Sequence, residues 1–227
     1  MNLKKTAILL YAFVAISAYS QTNKVWNTVS IKNVCSFKLP PTMELQGSGY
    51  RKMMDSFQKT LCYIMEYSYD KKRVVAQPKG INKLDKKALK HYSRFIVETF
   101  SLSSTESMPK LSDSLTFTKE ELAQMNTGFK QGILEDFALA KRKTGIAMTM
   151  LKWYPLKITK IQNVDSLEYG FLRKSSVKGK APVDVKYYIL FNRTHGHKVT
   201  VSYRTNEKEL WDNTLRTMLS TLSFKEK

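Results

Sequence analysis

Residues 183–203 read VDVKYYILFNRTHGHKVTVSY, and this stretch decides the fold. Val183 to Asn192 is a run of β-branched and aromatic residues, and Lys198 to Tyr203 is a second. Between them Asn192-Arg193-Thr194-His195-Gly196-His197 has the composition of a hairpin turn. Working back, Ile146–Trp153, Leu156–Val164 and Leu167–Arg173 read as further strands with short connections, which favours antiparallel pairing. Working forward, Asn206 can cap a helix with Glu209 three residues on, and Leu210, Trp211, Leu215, Met218, Leu219 and Leu222 form its apolar stripe.

The N-terminal half is read the same way. Over 25–40, Val29, Ile31, Cys35, Phe37 and Leu39 share one parity, predicting a strand that Pro40-Pro41 ends. A second run, Lys59 to Tyr69, is closed by Asp70-Lys71-Lys72-Arg73, with 50–56 as a short pairing arm. Two helical stretches follow. Leu84, Ala88, Leu89, Tyr92, Phe95, Ile96 and Phe100 fall at spacings of three and four, predicting one helix. Thr118 and Glu121 have the spacing of a capping box, and Leu122, Met125, Phe129 and Ile133 continue a stripe that Gly128 and Gly132 should weaken. Strands, helices, an antiparallel run and a final helix make an α+β plan, an antiparallel sheet flanked by helices. The expected organisation is a leader at 1–20 and one domain at 21–227, with a helical insertion around 101–145.

The 227 residues are 42% hydrophobic, 11% aromatic and 25% charged, with a mean hydropathy of −0.37. Those values exclude a multi-span membrane protein, and twelve Tyr and eleven Phe argue against disorder. Lys4 and Lys5, the apolar run from Thr6 to Ser17, and small residues at Ala18 and Ser20 read as a secretory leader cut before Gln21. The apolar run is shorter than the ~20 residues of a permanent anchor. The expected location is periplasmic or secreted. Cys35 and Cys62 are then a disulfide candidate; the alternative is two buried thiols packing as small hydrophobes.

Among catalytic signatures, G-x-S-x-G, H-E-x-x-H, G-x-x-x-x-G-K and G-x-G-x-x-G are all absent from the sequence. Glu120-Glu121 belongs to a helix first turn, and Glu135-Asp136 are helix neighbours that point apart, so neither pair suits acid/base work. His195 and His197 share one side of a strand and are the candidate metal ligands, although a metal site needs more than two. Charge is the stronger signal, with 38 Lys+Arg against 19 Asp+Glu. Lys71, Lys72, Arg73, Lys79, Lys83, Lys86, Lys87 and Lys90 place eight cations in twenty residues against Asp85 alone. Lys141-Arg142-Lys143 and Arg173, Lys174, Lys178 and Lys180 add two more clusters. Such a field attracts polyanions.

The order of elements resembles the PsbP-like fold. The segments that carry the likeness are Ser36-Phe37-Lys38-Leu39-Pro40, Ile158 to Ile161 with Leu167-Glu168-Tyr169, Tyr187 to Phe191, Val199 to Tyr203, and the Trp211 helix running out at Leu219 to Phe224. The helical insertion around 101–145 is longer than that pattern. The resemblance implies a binding or assembly module of a bacterial envelope, without a catalytic motif or a cofactor. The expected function is therefore non-catalytic binding of an acidic envelope component (protein, glycan or anionic lipid) through Lys71–Lys90 and Lys141–Lys143. Nucleic acid ranks below these for an exported protein, and a metal-binding protein using His195 and His197 is the alternative.

Overall fold

The structure, a computed structural model, describes residues 25–32, 34–47, 72–101, 109–192 and 195–225. The leader with its cut before Gln21, the 50–56 arm, the strand expected over 59–69, Cys62 and Lys71 lie outside these residues. The described strands are β1 (Asn27–Ile31), β2 (Cys35–Leu39), β3 (Met43–Leu45), β4 (Lys72–Pro78), β5 (Ser93–Ser101), β6 (Met148–Ile161), β7 (Val164–Ser175), β8 (Val183–Asn192), β9 (His195–Arg204) and β10 (Ser223–Phe224). The α-helices are α1 (Lys119–Thr144) and α2 (Lys208–Ser220). Seven strands pair antiparallel in the order β3-β4-β5-β9-β8-β7-β6, and β1-β2-β10 form a small second sheet.

Strand alternation sends successive side chains to opposite faces, and each face has its own cover. Tyr188, Leu190, Val199, Val201, Phe95 and Val97 meet Trp211, Leu215 and Met218 of α2 and Cys35 and Phe37 of the small sheet. On the other face Leu167, Tyr169, Phe171, Val185 and Ile189 meet Met125, Phe129, Ile133 and Phe137 of α1. Phe129 stacks on Tyr169 with centroids 4.6 Å apart. The result is the expected α+β architecture, an antiparallel sheet with helices on both faces.

The 183–203 hairpin and the helix from Thr118 form where the sequence places them, but His195, Gly196 and His197, expected in the turn, are paired residues of β9. The terminal helix buries Trp211, Leu215 and Met218 as expected, whereas Leu210 stands exposed outside the stripe. Thr118 Oγ1 accepts from the Glu121 N–H at 3.1 Å, and Glu121 Oε2 accepts from the Thr118 N–H at 2.8 Å. Gly128 and Gly132 neither interrupt α1 nor mark a close contact, since a Cβ at either would meet no atom within 4 Å. Gly145 stops it at φ 72°, a left-handed position suited to glycine.

Other elements differ from expectation. The strand expected over 25–40 is a hairpin, β1 against β2, with Ile31 opposite Cys35. A three-residue connection returns the chain to the same parity, so hairpin and single strand share one pattern. The helix expected from Leu84 to Phe100 is two 3₁₀ turns, Ile81–Lys83 and Ala88–Lys90, followed by β5. Here β-branched and aromatic residues (Phe95, Ile96, Val97, Thr99) pair on both sides with β4 and β9, and that pairing outweighs the helical spacing. The two strands expected over 146–164 are the single β6, whose register shifts between Tyr154 and Lys157 at Pro155. Asn126 of α1 repairs that break: its Oδ1 accepts from Trp153 Nε1 and from the Leu156 N–H, both at 2.9 Å. Asn206 does not cap α2; it lies in a 3₁₀ turn, Thr205–Glu207, and Glu207 is the N-cap residue.

Candidate functional site

Register places the basic segments together. Ser93 of β5 lies opposite Tyr203 of β9, Arg204 of β9 opposite Val183 of β8, Val183 opposite Arg173 of β7, and Ser175 of β7 opposite Met148 of β6. One end of the sheet therefore carries the β4–β5 connection, the β7–β8 connection and the chain entering β6. Lys79, Lys83, Lys86, Lys87 and Lys90 stand exposed on the first, and Lys174, Lys178 and Lys180 at the second. Lys141, Arg142 and Lys143 occupy the last turn of α1, where cations also favour the helix dipole. The Ser176 N–H donates to Ala147 O at 2.8 Å and the Ala147 N–H donates to Ser176 Oγ at 3.1 Å, tying the chain that leaves α1 to the β7–β8 connection. At ~4.8 Å per strand, β4 to β6 spans roughly 24 Å. That exceeds the ~8 Å screening length at physiological salt, so the clusters repel one another weakly and favour an extended partner over a small anion.

The β4–β5 connection is held in shape. Ile81 and Ala88 are buried beneath it. Asn82 Oδ1 accepts from the Gly47 N–H at 2.8 Å and from Gln77 Nε2 at 3.0 Å, while Asn82 Nδ2 donates to Leu45 O at 2.8 Å. Gly80 has φ 101°, and a Cβ there would come within 3.1 Å of Ala88 Cβ. At its far end, Glu207 accepts from the Tyr92 N–H at 3.2 Å and Trp211 Nε1 at 2.8 Å, and it pairs with His91 Nδ1 and Arg204 Nη1, each at 3.2 Å. This acid is turned inward as a brace between the basic loop and α2. Asp85 also has a local task, accepting from the Lys87 N–H at 2.8 Å.

Not every residue of the sequence cluster joins this end. Arg73 sits opposite Glu98, five residues along β5 from Ser93, and pairs with it at 3.5 Å. Lys72 enters only as the first residue of β4, farther still from that end. Cys35 is a buried free thiol whose pKa burial pushes up to about 12, and its candidate partner Cys62 lies outside the described residues.

His195 and His197 do lie on one strand, but His197 is only 2% exposed and serves the core. Its Nδ1 meets Thr99 Oγ1 at 3.0 Å and its Nε2 meets Asn192 Nδ2 at 3.2 Å. With Asn192 Nδ2 as donor, Nε2 accepts and Nδ1 donates, which uses both nitrogens of a neutral imidazole. Burial, with the neighbouring His195 second, lowers the His197 pKa to about 4. Among the described residues no group of three or more His, Cys, Asp or Glu is placed to hold a metal ion.

One cleft escaped the sequence reading. About 490 Å³ in volume, it lies between β6, β7, β8 and α2, with Lys152, Lys157, Lys186, Lys208 and Arg216 around Tyr154 and Tyr203. Most of its charges are engaged: Glu168 pairs with Lys157 at 3.5 Å and Lys186 at 4.0 Å, and Arg216 donates to Asp212 at 2.9 Å. Tyr154 Oη donates to Asp184 Oδ2 at 3.3 Å, and burial holds both pKa values above their ordinary ranges. The hydroxyl therefore stays a donor and supplies no base. Signals for this cleft were scattered over strands whose facing only the register reveals.

No protein-family model and no curated protein sequence matches the chain. Among solved structures it is similar to the solution structure of cyanobacterial PsbP (CyanoP) from Synechocystis sp. PCC 6803. That match has a TM-score of 0.47 and 8% identity over 91% of this chain and 96% of that one. Among the described residues no helix is long and apolar enough to cross a membrane. The likeness to the PsbP-like fold is one of fold alone.

Proposed function

We propose that this protein is an exported, non-catalytic binding module that engages an acidic component of the cell envelope through the basic end of its sheet. The observation that carries this reading is the convergence of three basic segments, remote in sequence, on one end of one sheet. A merely solubilising charge has no need to converge. The braced β4–β5 connection supports the same reading, since lysines on a fixed loop lose less freedom on binding than lysines on a mobile one.

Co-sedimentation of the purified protein with isolated envelope fractions tests this. Binding is expected at low salt and should fall sharply at high salt, as the screening length shrinks from ~10 Å at 0.1 M to ~3 Å at 1 M. Lys86→Glu, Lys87→Glu and Lys90→Glu together should abolish it and leave the thermal melt nearly unchanged. Undiminished binding by that triple variant would overturn the assignment.

A further inference from the structure

We infer that the acidic component is the surface of an anionic phospholipid bilayer, touched by aliphatic loop tips set among the lysines; this rests on the reading of the basic end given above. That end is not simply polar. Leu84 is 65% exposed and Leu89 46%, both on the β4–β5 connection, while Ile146 and Val177 stand exposed on the chain entering β6 and on the β7–β8 connection. Each has a cation within three residues: Lys83-Leu84-Asp85-Lys86, Leu89-Lys90, Lys143 before Ile146, and Val177-Lys178. The two leucines are not incidental failures of packing. On the same loop Ile81 and Ala88 are buried, so the loop sorts its apolar side chains into inward anchors and outward tips. Leu84 is moreover held at φ 55°, a left-handed conformation that a side chain with a Cβ adopts at a cost.

The chemistry of the tips selects among acidic partners. Glycans and nucleic acids offer planar faces or polar edges, and proteins grip them with aromatic rings. The exposed large hydrophobic residues among the described ones are all aliphatic. An acidic polymer would meet the lysines and leave the leucines in water. A bilayer with anionic headgroups satisfies both sets, with phosphates for the ammonium groups and hydrocarbon a few ångströms deeper for the aliphatic tips. An extended plane also suits loops spread over roughly 24 Å of sheet edge. Binding of this kind is reversible, peripheral and salt-sensitive.

The test measures sedimentation of the purified protein with vesicles of phosphatidylcholine alone and with an equal mixture of phosphatidylcholine and phosphatidylglycerol. Retention on immobilised heparin, a soluble-type polyanion without hydrocarbon, is measured in parallel. The protein should bind the mixed vesicles and not the neutral ones. Leu84→Ser with Leu89→Ser should lose about tenfold in vesicle affinity and none of its heparin retention, because only the hydrocarbon contact is removed. Both leucines are exposed, so the melt should be unchanged and serves as the folding control. Equal vesicle binding by the double variant, or heparin retention without vesicle binding, overturns the lipid assignment and leaves the basic-end reading standing. Binding to neither probe overturns both.

Discussion

Gly170→Ala is expected to destabilise the fold by about 3 kcal/mol, at the upper end of ordinary overpacking costs. Gly170 sits on β7 opposite Lys186 of β8 and Tyr154 of β6. A Cβ there would come within 2.4 Å of Val185 O, 3.2 Å of Lys186 Cα and 3.2 Å of Tyr154 Cδ2. Two of those atoms are backbone, and a ladder in the middle of a sheet cannot yield without losing hydrogen bonds on both sides. For a domain of this size the melting temperature should drop by roughly 6–12 °C. Gly196 offers the contrast. Its added Cβ would strike only the outer end of the Phe100 ring, side-chain atoms rather than backbone, so Gly196→Ala should cost less. A Gly170→Ala protein that melts with the parent would contradict the register given for β7 and β8.

Acid is expected to remove about 3 kcal/mol through His197 alone. The imidazole titrates at 6.5 in the unfolded chain and at about 4 in the folded one. Because the folded value is the lower, the unfolded chain binds the extra proton first. The contribution is fully present above pH 6.5 and is lost progressively as pH falls towards 4. The cause is geometric as well as dielectric: a second N–H on the ring would face Asn192 Nδ2, itself a donor. Asp136 and Asp184, raised by burial, work in the opposite sense, gaining protons in the folded state first and so adding stability as pH falls through their own range. Comparing urea unfolding of the parent and a His197→Gln protein across this window isolates the histidine. The parent should lose more stability than the variant by about 3 kcal/mol; parallel curves would contradict the buried, neutral ring.

These two sites mark the boundary of what the sequence made legible. The capping box at Thr118, the Trp211 stripe and the 183–204 hairpin depend on residues within one or two turns of each other, and local pattern sufficed. The β5 strand is not legible in this way, because Leu84, Ala88 and Leu89 lend helical spacing to a segment whose conformation is decided by β4 and β9, distant in sequence. His197 was legible as half of a pair but not as a core residue, since its burial depends on Thr99 and Phe224 arriving from elsewhere. The basic clusters were each visible as composition. Their meeting at one end follows only from strand register, as does the departure of Arg73 to Glu98.

Equal charge reversal at the two ends of the sheet tests whether that meeting makes a binding face. One variant carries Lys86→Glu, Lys141→Glu and Lys178→Glu, one change from each converging segment. The other carries Lys110→Glu, Lys119→Glu and Lys225→Glu, exposed lysines towards the opposite end. Both alter net charge equally, so a response to overall charge treats them alike. Salt required for elution from immobilised heparin should fall steeply for the first variant and stay close to the parent for the second. Equal falls would contradict a localised binding face and leave the positive charge a property of the whole surface.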